Sequence, residues 1–286
     1  MQTTPILVLA VLAAAAVACT DGADERAIDR ALAYNGGLAA AAGPAGAPVD
    51  HAMPLPARVA AWARRFATAG SATYCFGLDP EGYAAQGRLV LDDRQDCISL
   101  LYRCAELARA RDGRDAVAWA LRTRFAGAAP ATVVDDEGRV DYDHPAHLDY
   151  SLDMVRSGHW GRDVTTALTG ARPDSLGTAR YPAGSWSWVP EATLVPGELR
   201  AGDVAWLVLD PADAKARTLR DEHGLAIGHV GIVIVENGVP WLVHAASSAL
   251  SGWYEGGAVV TVPLATYLAR VERYGGVIVT RFADDG

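Results

Sequence analysis

The chain has 286 residues, and its 34 acidic and 25 basic side chains give a formal net charge of −9. This balance argues against a nucleic-acid partner, which needs a basic face. The only lysine is Lys215, so recognition of anions would rest almost wholly on arginine forks, which suit carboxylates.

The first 18 residues carry no charged side chain and contain an apolar run over 6–12. This pattern predicts an export signal over 1–18, too short for an ordinary membrane-spanning helix. Two cleavages fit. Ala16-Val17-Ala18 forms an A-x-A site, whereas Val17-Ala18-Cys19 resembles a bacterial lipobox. We expect Cys19 to be the lipidated first residue of a cell-envelope protein on the periplasmic or outer-membrane face, with simple secretion as the alternative.

The rest of the chain divides by composition. Residues 19–53 are rich in Ala, Gly and Pro and predict a tether with one short helix at 23–34. Residues 54–282 predict one large domain, followed by a tail at 283–286. Since the tether offers little to bury, we expect the domain to fold and act without it.

Three cysteines follow Cys19, namely Cys75, Cys97 and Cys104. This odd number does not suggest a disulfide framework, and it leaves at least one candidate reactive thiol in an oxidising compartment. Free thiols at Cys75 and Cys104 are the favoured interpretation, and a bridge between them is the alternative.

The first half of the domain predicts helices. One covers 56–69 and stops at Gly70. The next begins with Asp96 as its N-cap, ends at Gly113 and precedes a further helix at 115–125. Its apolar stripe consists of Cys97, Leu100, Leu101, Cys104, Leu107 and Ala108. A thiol at the start of a helix is easily ionised, because the helix dipole and the free N–H groups favour an anion there.

The segment 126–196 is rich in loops and aromatic residues. Its Trp186 and Trp188 are interpreted as anchors in the core or in loops rather than as a sugar-binding platform. Strands dominate the chain after this segment. The predicted strands cover 203–209, 230–235, 240–246, 258–262 and 277–282. Helices followed by an antiparallel sheet predict an α+β fold, in which the helix that carries Cys97 packs against the sheet.

Two histidines lie on a predicted hairpin. Asn237-Gly238 is a strong type I′ turn signal, and it sets His244 opposite Gly231 and diagonal to His229. Diagonal neighbours on one sheet face lie ~7–8 Å apart, within reach of ring contact. The register therefore predicts a His–His relay.

Together these residues predict an activated nucleophile: Cys97 attacks, one imidazole takes its proton, and a second polar ring orients the first. Two alternatives stay open. Cys97 alone could be a small buried apolar residue, and Cys97 with both histidines could ligate zinc. We expect the other histidines to be non-catalytic, namely His51, His144, His147, His159 and His223.

The order of four motifs resembles the NlpC-type cell-wall cysteine hydrolases, which are papain-like enzymes. These motifs are Asp96-Cys97, Gly202-Asp203, Gly228-His229-Val230-Gly231-Ile232 and His244-Ala245-Ala246-Ser247. The long spacer between Cys97 and His229, the segment His147-Leu148-Asp149-Tyr150 and the ending at 275–281 resemble its N-acetylmuramoyl-L-alanine amidase-like branch. The resemblance covers about 54–282.

The resemblance implies a papain-like core with a helical and loop-rich elaboration. It makes Cys97 the nucleophile, His229 the general base and His244 the orienting residue, and it assigns Tyr74 to substrate or oxyanion binding. The sequence departs from the family at Ile98, where Thr or Val is common, and at Asp149, which replaces a histidine. These departures bear on substrate specificity more than on the triad.

The predicted function is hydrolysis of the amide between N-acetylmuramic acid and L-alanine in peptidoglycan or muropeptides, through a thioester and without a metal or organic cofactor. The alternatives are a D-glutamyl–diamino-acid endopeptidase, a non-catalytic muramyl-peptide-binding lipoprotein, and acyl transfer to another amine. The only expected membrane contact is a lipid anchor at Cys19.

Overall fold

A computed structural model describes residues 22–44, 49–70, 72–148 and 150–284. The predicted signal peptide and Cys19 lie outside the described residues, as does Asp149. The helices are α1 (Gly22–Tyr34), α2 (Gly37–Ala41), α3 (Leu55–Ala69), α4 (Cys97–Arg109), α5 (Gly113–Arg124), α6 (Pro130–Val133), α7 (Leu152–Ser157), α8 (Ala214–Asp221) and α9 (Leu264–Arg270). The strands are β1 (Thr73–Tyr74), β2 (Arg94–Gln95), β3 (Arg162–Asp163), β4 (Arg172–Pro173), β5 (Ser187–Pro190), β6 (Val204–Leu209), β7 (Ile227–Glu236), β8 (Val239–Ala246), β9 (Ala258–Pro263) and β10 (Tyr274–Arg281).

The strands form one sheet in the order β2-β1-β9-β8-β7-β6-β10-β5-β4, and β3 pairs with β10. Every pair is antiparallel except β1 with β2. All five predicted strands are present, as β6 to β10, and the α+β fold class is confirmed. Within the described ranges, no helix is long and apolar enough to cross a membrane.

The helix α4 begins where the sequence predicts. The Asp96 carboxylate accepts the backbone N–H groups of Ile98 and Ser99 at 3.0 and 2.7 Å, and the Ser99 hydroxyl accepts the Asp96 N–H at 2.9 Å. This capping box fixes the first turn. The predicted end at Gly113 was wrong: α4 stops at Arg109, because Ala110 turns extended and Asp112 caps a new helix, α5.

The N-terminal segment is part of the domain, so the predicted tether at 19–53 was wrong for its described residues. In α1, Ala27 and Ala31 are 0% exposed and Ile28 is 5% exposed. These small apolar side chains share a core cluster with apolar residues of α5 and α6. The Asn35 side chain accepts the N–H groups of Leu89 and Val90 at 3.0 and 2.8 Å. An Ala-rich stretch can therefore bury a helix face when its small side chains meet a close neighbour.

The β7–β8 hairpin has the predicted turn and register. Asn237 and Gly238 have φ values of 51° and 78°, as a type I′ turn requires. Glu236 pairs with Val239, and Ile232 pairs with Val243. Away from this hairpin, Trp186 and Trp188 are buried in the core, as predicted.

The Gly202-Asp203 motif joins three elements. A Cβ atom on Gly202 would lie 2.1 Å from the carbonyl oxygen of Pro56, so only glycine allows this approach of β6 to α3. Asp203 accepts two hydrogen bonds of 2.7 Å from the Arg281 guanidinium, at the far end of β10. This motif therefore fixes the sheet rather than taking part in chemistry.

Candidate active site

The predicted site residues line one cavity of about 980 Å³ at the N-terminal end of α4. Cys97 comes from the first position of this helix, His229 from β7, His244 from β8 and Tyr74 from β1. The packing of α4 against β7 and β8 brings them together from four separate elements.

The Cys97 thiol lines the cavity and also lies close to backbone N–H groups. Burial, followed by the nearby Asp96 carboxylate, raises the pKa of the Cys97 thiol well above its usual value, while the backbone N–H groups of Val230, Cys97 and Ile98 oppose this shift. Burial and the Asp96 carboxylate thus act against the ionisation that the start of the helix favours.

The two histidines form the predicted relay. Nε2 of His229 and Nδ1 of His244 lie 2.8 Å apart, and the two rings are nearly perpendicular. Burial, followed by the Arg273 guanidinium, lowers the pKa of His229 to about 3, and burial, followed by His229, lowers the pKa of His244 well below its usual value. Both rings are therefore neutral at rest, as a general base must be.

The 2.8 Å contact is compatible with either histidine as the donor, because the roles of the two nitrogens depend on the tautomers. If His229 carries its proton on Nε2 and donates it to His244 Nδ1, then Nδ1 of His229 is left as an unprotonated acceptor. His244 then carries its proton on Nε2, a buried atom without a hydrogen-bond partner.

Three tyrosines enclose the relay. Tyr267 lies edge-on to His244 at 4.8 Å between ring centroids, and Tyr254 lies likewise at 5.5 Å. Tyr274 stacks on His229 at 6.1 Å and donates a hydrogen bond to the Gly228 carbonyl. Sequence reasoning missed these residues, since nothing in their spacing distinguishes them from core tyrosines.

Tyr74 lines the same cavity from β1, which lies towards one edge of the sheet. Burial, followed by Cys97 and Asp96, raises the pKa of Tyr74 to about 12, against a hydrogen bond with Ser247 that opposes the rise. A raised pKa favours the neutral phenol, which can act as a hydrogen-bond donor near Cys97. Ser247, the last residue of the motif that begins at His244, also lines the cavity.

The segment around His147 forms another part of the wall. His147 and Tyr150 line the cavity, and the His147 ring lies against Phe125 and Tyr142 with centroids 5.4 and 5.1 Å apart. The Tyr150 hydroxyl is buried without a hydrogen-bond partner. Cys75 and Cys104 are free thiols, as favoured. Among the described residues, no group of three His, Cys, Asp or Glu side chains is placed to hold a metal ion.

Comparisons with solved structures show the fold. An N-acetylmuramoyl-L-alanine amidase from Bacteroides uniformis aligns with a TM-score of 0.54 and 19% identity, over 80% of this chain and 99% of its own. A Legionella pneumophila protein of the DUF1460 family gives a TM-score of 0.54 and 15% identity, over 80% and 89%. A Bacteroides fragilis protein provisionally described as a xylanase gives 0.51 and 18%, over 78% and 99%.

This chain therefore shares its fold with an amidase, a DUF1460 protein and a protein of another description. No family model matches the chain, and no curated protein matches it. At these identities the likeness concerns the fold alone.

Proposed function

We propose that the protein is a papain-like cysteine amidase of the NlpC type, which cleaves the amide between N-acetylmuramic acid and L-alanine in peptidoglycan or muropeptides. The observation that carries this proposal is the 2.8 Å contact between His229 and His244, in one cavity with a cysteine at a capped helix start. The likeness of the fold to an amidase adds support for the substrate class.

The chemistry begins from neutral groups. Nδ1 of His229 takes the Cys97 proton as the sulfur attacks the lactyl carbonyl carbon, so that proton transfer is coupled to attack. The backbone N–H of Cys97 and the Tyr74 hydroxyl are the candidate donors to the tetrahedral oxyanion; removing one such donor typically costs about 3 kcal/mol. His229 then protonates the amine of L-alanine, which leaves, and a thioester remains on Cys97.

Hydrolysis completes the cycle. His229 removes a proton from a water molecule, which attacks the thioester. The C–S bond then breaks, the sulfur takes that proton back from His229, and the free carboxylic acid of the muramoyl sugar is released. His244 accepts the Nε2–H of His229 throughout and steadies the charged ring. No step requires a metal ion or an organic cofactor.

The cellular location of the protein is a second part of this proposal. We keep export by residues 1–18 and a lipid anchor at Cys19 as proposals that rest on the sequence pattern, with the substrate in the cell envelope. We include α1 in the domain that acts there, because its buried side chains share a cluster with residues of α5 and α6.

Mass spectrometry of the products from a defined disaccharide-peptide tests the reaction. The proposal expects a lactyl sugar free of alanine and a peptide that begins with L-alanine. A liberated peptide that begins with the diamino acid would instead establish the endopeptidase, and intact substrate would favour the non-catalytic binding protein. The Cys97→Ser variant serves as the control and should leave the substrate intact.

A further inference from the structure

A row of cations follows one wall of the candidate active site. Arg270 lies at the end of α9, Arg273 precedes β10 and Lys215 belongs to α8, and all three line the cavity that contains Cys97 and His229. All three are exposed. Two acidic residues, Asp213 and Glu272, line the cavity near them, and the three cations outnumber these acids in a chain with a net charge of −9.

These cations have no carboxylate partner in the described part of the chain. The buried arginines of the fold are paired, as Arg220 is with Asp174 at 2.9 Å and Arg124 with Glu106 at 2.8 Å. Among the residues that the structure describes, no ion pair joins Arg270, Arg273 or Lys215 to an acid. A fourth cation of the wall, Arg180, is held by Asp153 and is therefore less available.

Arg273 is the cation that approaches the chemistry. Its guanidinium carbon lies 4.9 Å from the centroid of the Tyr274 ring, and that ring stacks on His229 at 6.1 Å. The field of Arg273 reaches His229, since it contributes to the lowered pKa of that imidazole. A guanidinium in this position can present its planar fork to a ligand in the cavity.

The position of these cations indicates whether they contact the sugar side or the peptide side of the scissile amide. In the sheet, β7 separates the side that carries Tyr74, on β1, from the side that carries Arg273, at the start of β10. His229 must protonate the leaving amine, so the leaving peptide lies towards His229. Continuing in that direction brings the peptide to Arg273, Arg270 and Lys215.

We propose that Lys215, Arg270 and Arg273 form a carboxylate-binding subsite for the leaving peptide. The inference rests on the proposed function. When L-alanine carries the scissile nitrogen, the nearest free acid on a D-glutamyl stem is the α-carboxylate of the second residue. The subsite therefore selects stems that keep this carboxylate over stems in which it is a carboxamide.

Two disaccharide-tripeptides test the subsite, identical except for an α-carboxylate or an α-carboxamide on the second residue. Binding is measured by titration calorimetry with the Cys97→Ala variant, which cannot turn the ligands over. We expect the carboxylate form to bind about 10- to 100-fold more tightly, as charge-assisted hydrogen bonds allow. The Arg270→Gln/Arg273→Gln/Lys215→Gln combination in the same background should bring this ratio close to one, and Arg273→Lys should keep part of it.

The matched control is Arg217→Gln, an exposed arginine of α8 that does not line the cavity, and it should keep the full ratio. Equal affinity for the two tripeptides in the Cys97→Ala protein, or binding of neither, would overturn the subsite. Selective binding of the carboxylate form by a wild-type protein that cleaves no muramoyl–alanine bond would overturn the proposed reaction while supporting the subsite.

Discussion

Nε2 of His229 and Nδ1 of His244 lie 2.8 Å apart across the β7–β8 hairpin, two positions away from direct cross-strand pairing. The contact leaves one ring nitrogen on each histidine, and that of His244 is a buried atom without a partner. The proposed mechanism gives the base role to His229, because its neighbour Val230 presents its backbone N–H to the Cys97 thiol, and treats His244 as a positioning residue that acts through His229.

The unequal roles predict unequal losses. His244→Ala should lower turnover about 10- to 100-fold, as the loss of an orienting group typically does, whereas His229→Ala should be close to inactive. His244→Asn should recover part of the loss, since its amide oxygen can accept the His229 proton. Steady-state kinetics of the three variants measures these losses, and repeating it with chelator and with added zinc tests the zinc alternative. Equal losses at both histidines, with inactivation by chelator and rescue by zinc, would support a zinc site instead.

Cysteine reactivity should depend on the imidazole. Since burial and Asp96 raise the pKa of Cys97, its thiol needs His229 to remove the proton. We expect iodoacetamide to label Cys97 at a rate that depends on proton transfer to His229, and to spare Cys104, which is 0% exposed in the folded protein. In His229→Ala, labelling of Cys97 should slow at least about 10-fold while Cys75 keeps its rate. Peptide mapping measures both. Equal labelling of all three cysteines would contradict the nucleophile assignment.

Stability should fall in mild acid because of the buried relay. Both histidines have a lower pKa in the folded state than in the unfolded state, so the unfolded chain binds more protons below its ordinary histidine pKa. The free energy of unfolding therefore decreases as pH falls through this window, by up to about 1.4 kcal/mol per pH unit for each histidine.

Urea unfolding between pH 4 and 7.5 measures this slope. His244→Asn should make the slope shallower, whereas the exposed His51→Asn control should leave it unchanged. Equal slopes in all three proteins would show that the relay is not held neutral by burial.

The N-terminal helix should contribute to stability. Ile28 is 5% exposed in α1, and Ile28→Ala should cost about 2–5 kcal/mol through the cavity it leaves. Leu38, which is 58% exposed in α2, is the control, and Leu38→Ala should change the free energy of unfolding by about 0.5 kcal/mol or less. Denaturant titrations compare the two. A neutral Ile28→Ala would restore the idea that this segment is a tether.

The sequence predicted best where a local rule determines the structure. The cap at Asp96 and the turn at Asn237-Gly238 depend on neighbouring residues alone, and the turn fixed the register that brings His229 to His244. Burial of Ala27 depends instead on a cluster that includes residues of α5 and α6, far along the chain, so composition misread that segment.

The candidate site also has parts that local sequence rules predict and parts that depend on tertiary packing. The enclosure by Tyr267 and Tyr274, the raised pKa of Cys97 and the cationic wall around Arg273 arise from tertiary packing of separate elements. Desolvation of a thiol in particular cannot be inferred from its place at a helix start, because the start favours an anion only where water or a partner also reaches it.

The most direct test of a cysteine amidase is the covalent intermediate. The protein is mixed with a disaccharide-peptide, quenched in acid within the first turnover, and examined by intact mass and peptide mapping. We predict an adduct on Cys97 whose mass equals the muramoyl disaccharide acyl group without any peptide. Cleavage without an adduct on Cys97, or cleavage that persists in Cys97→Ala, would contradict the account.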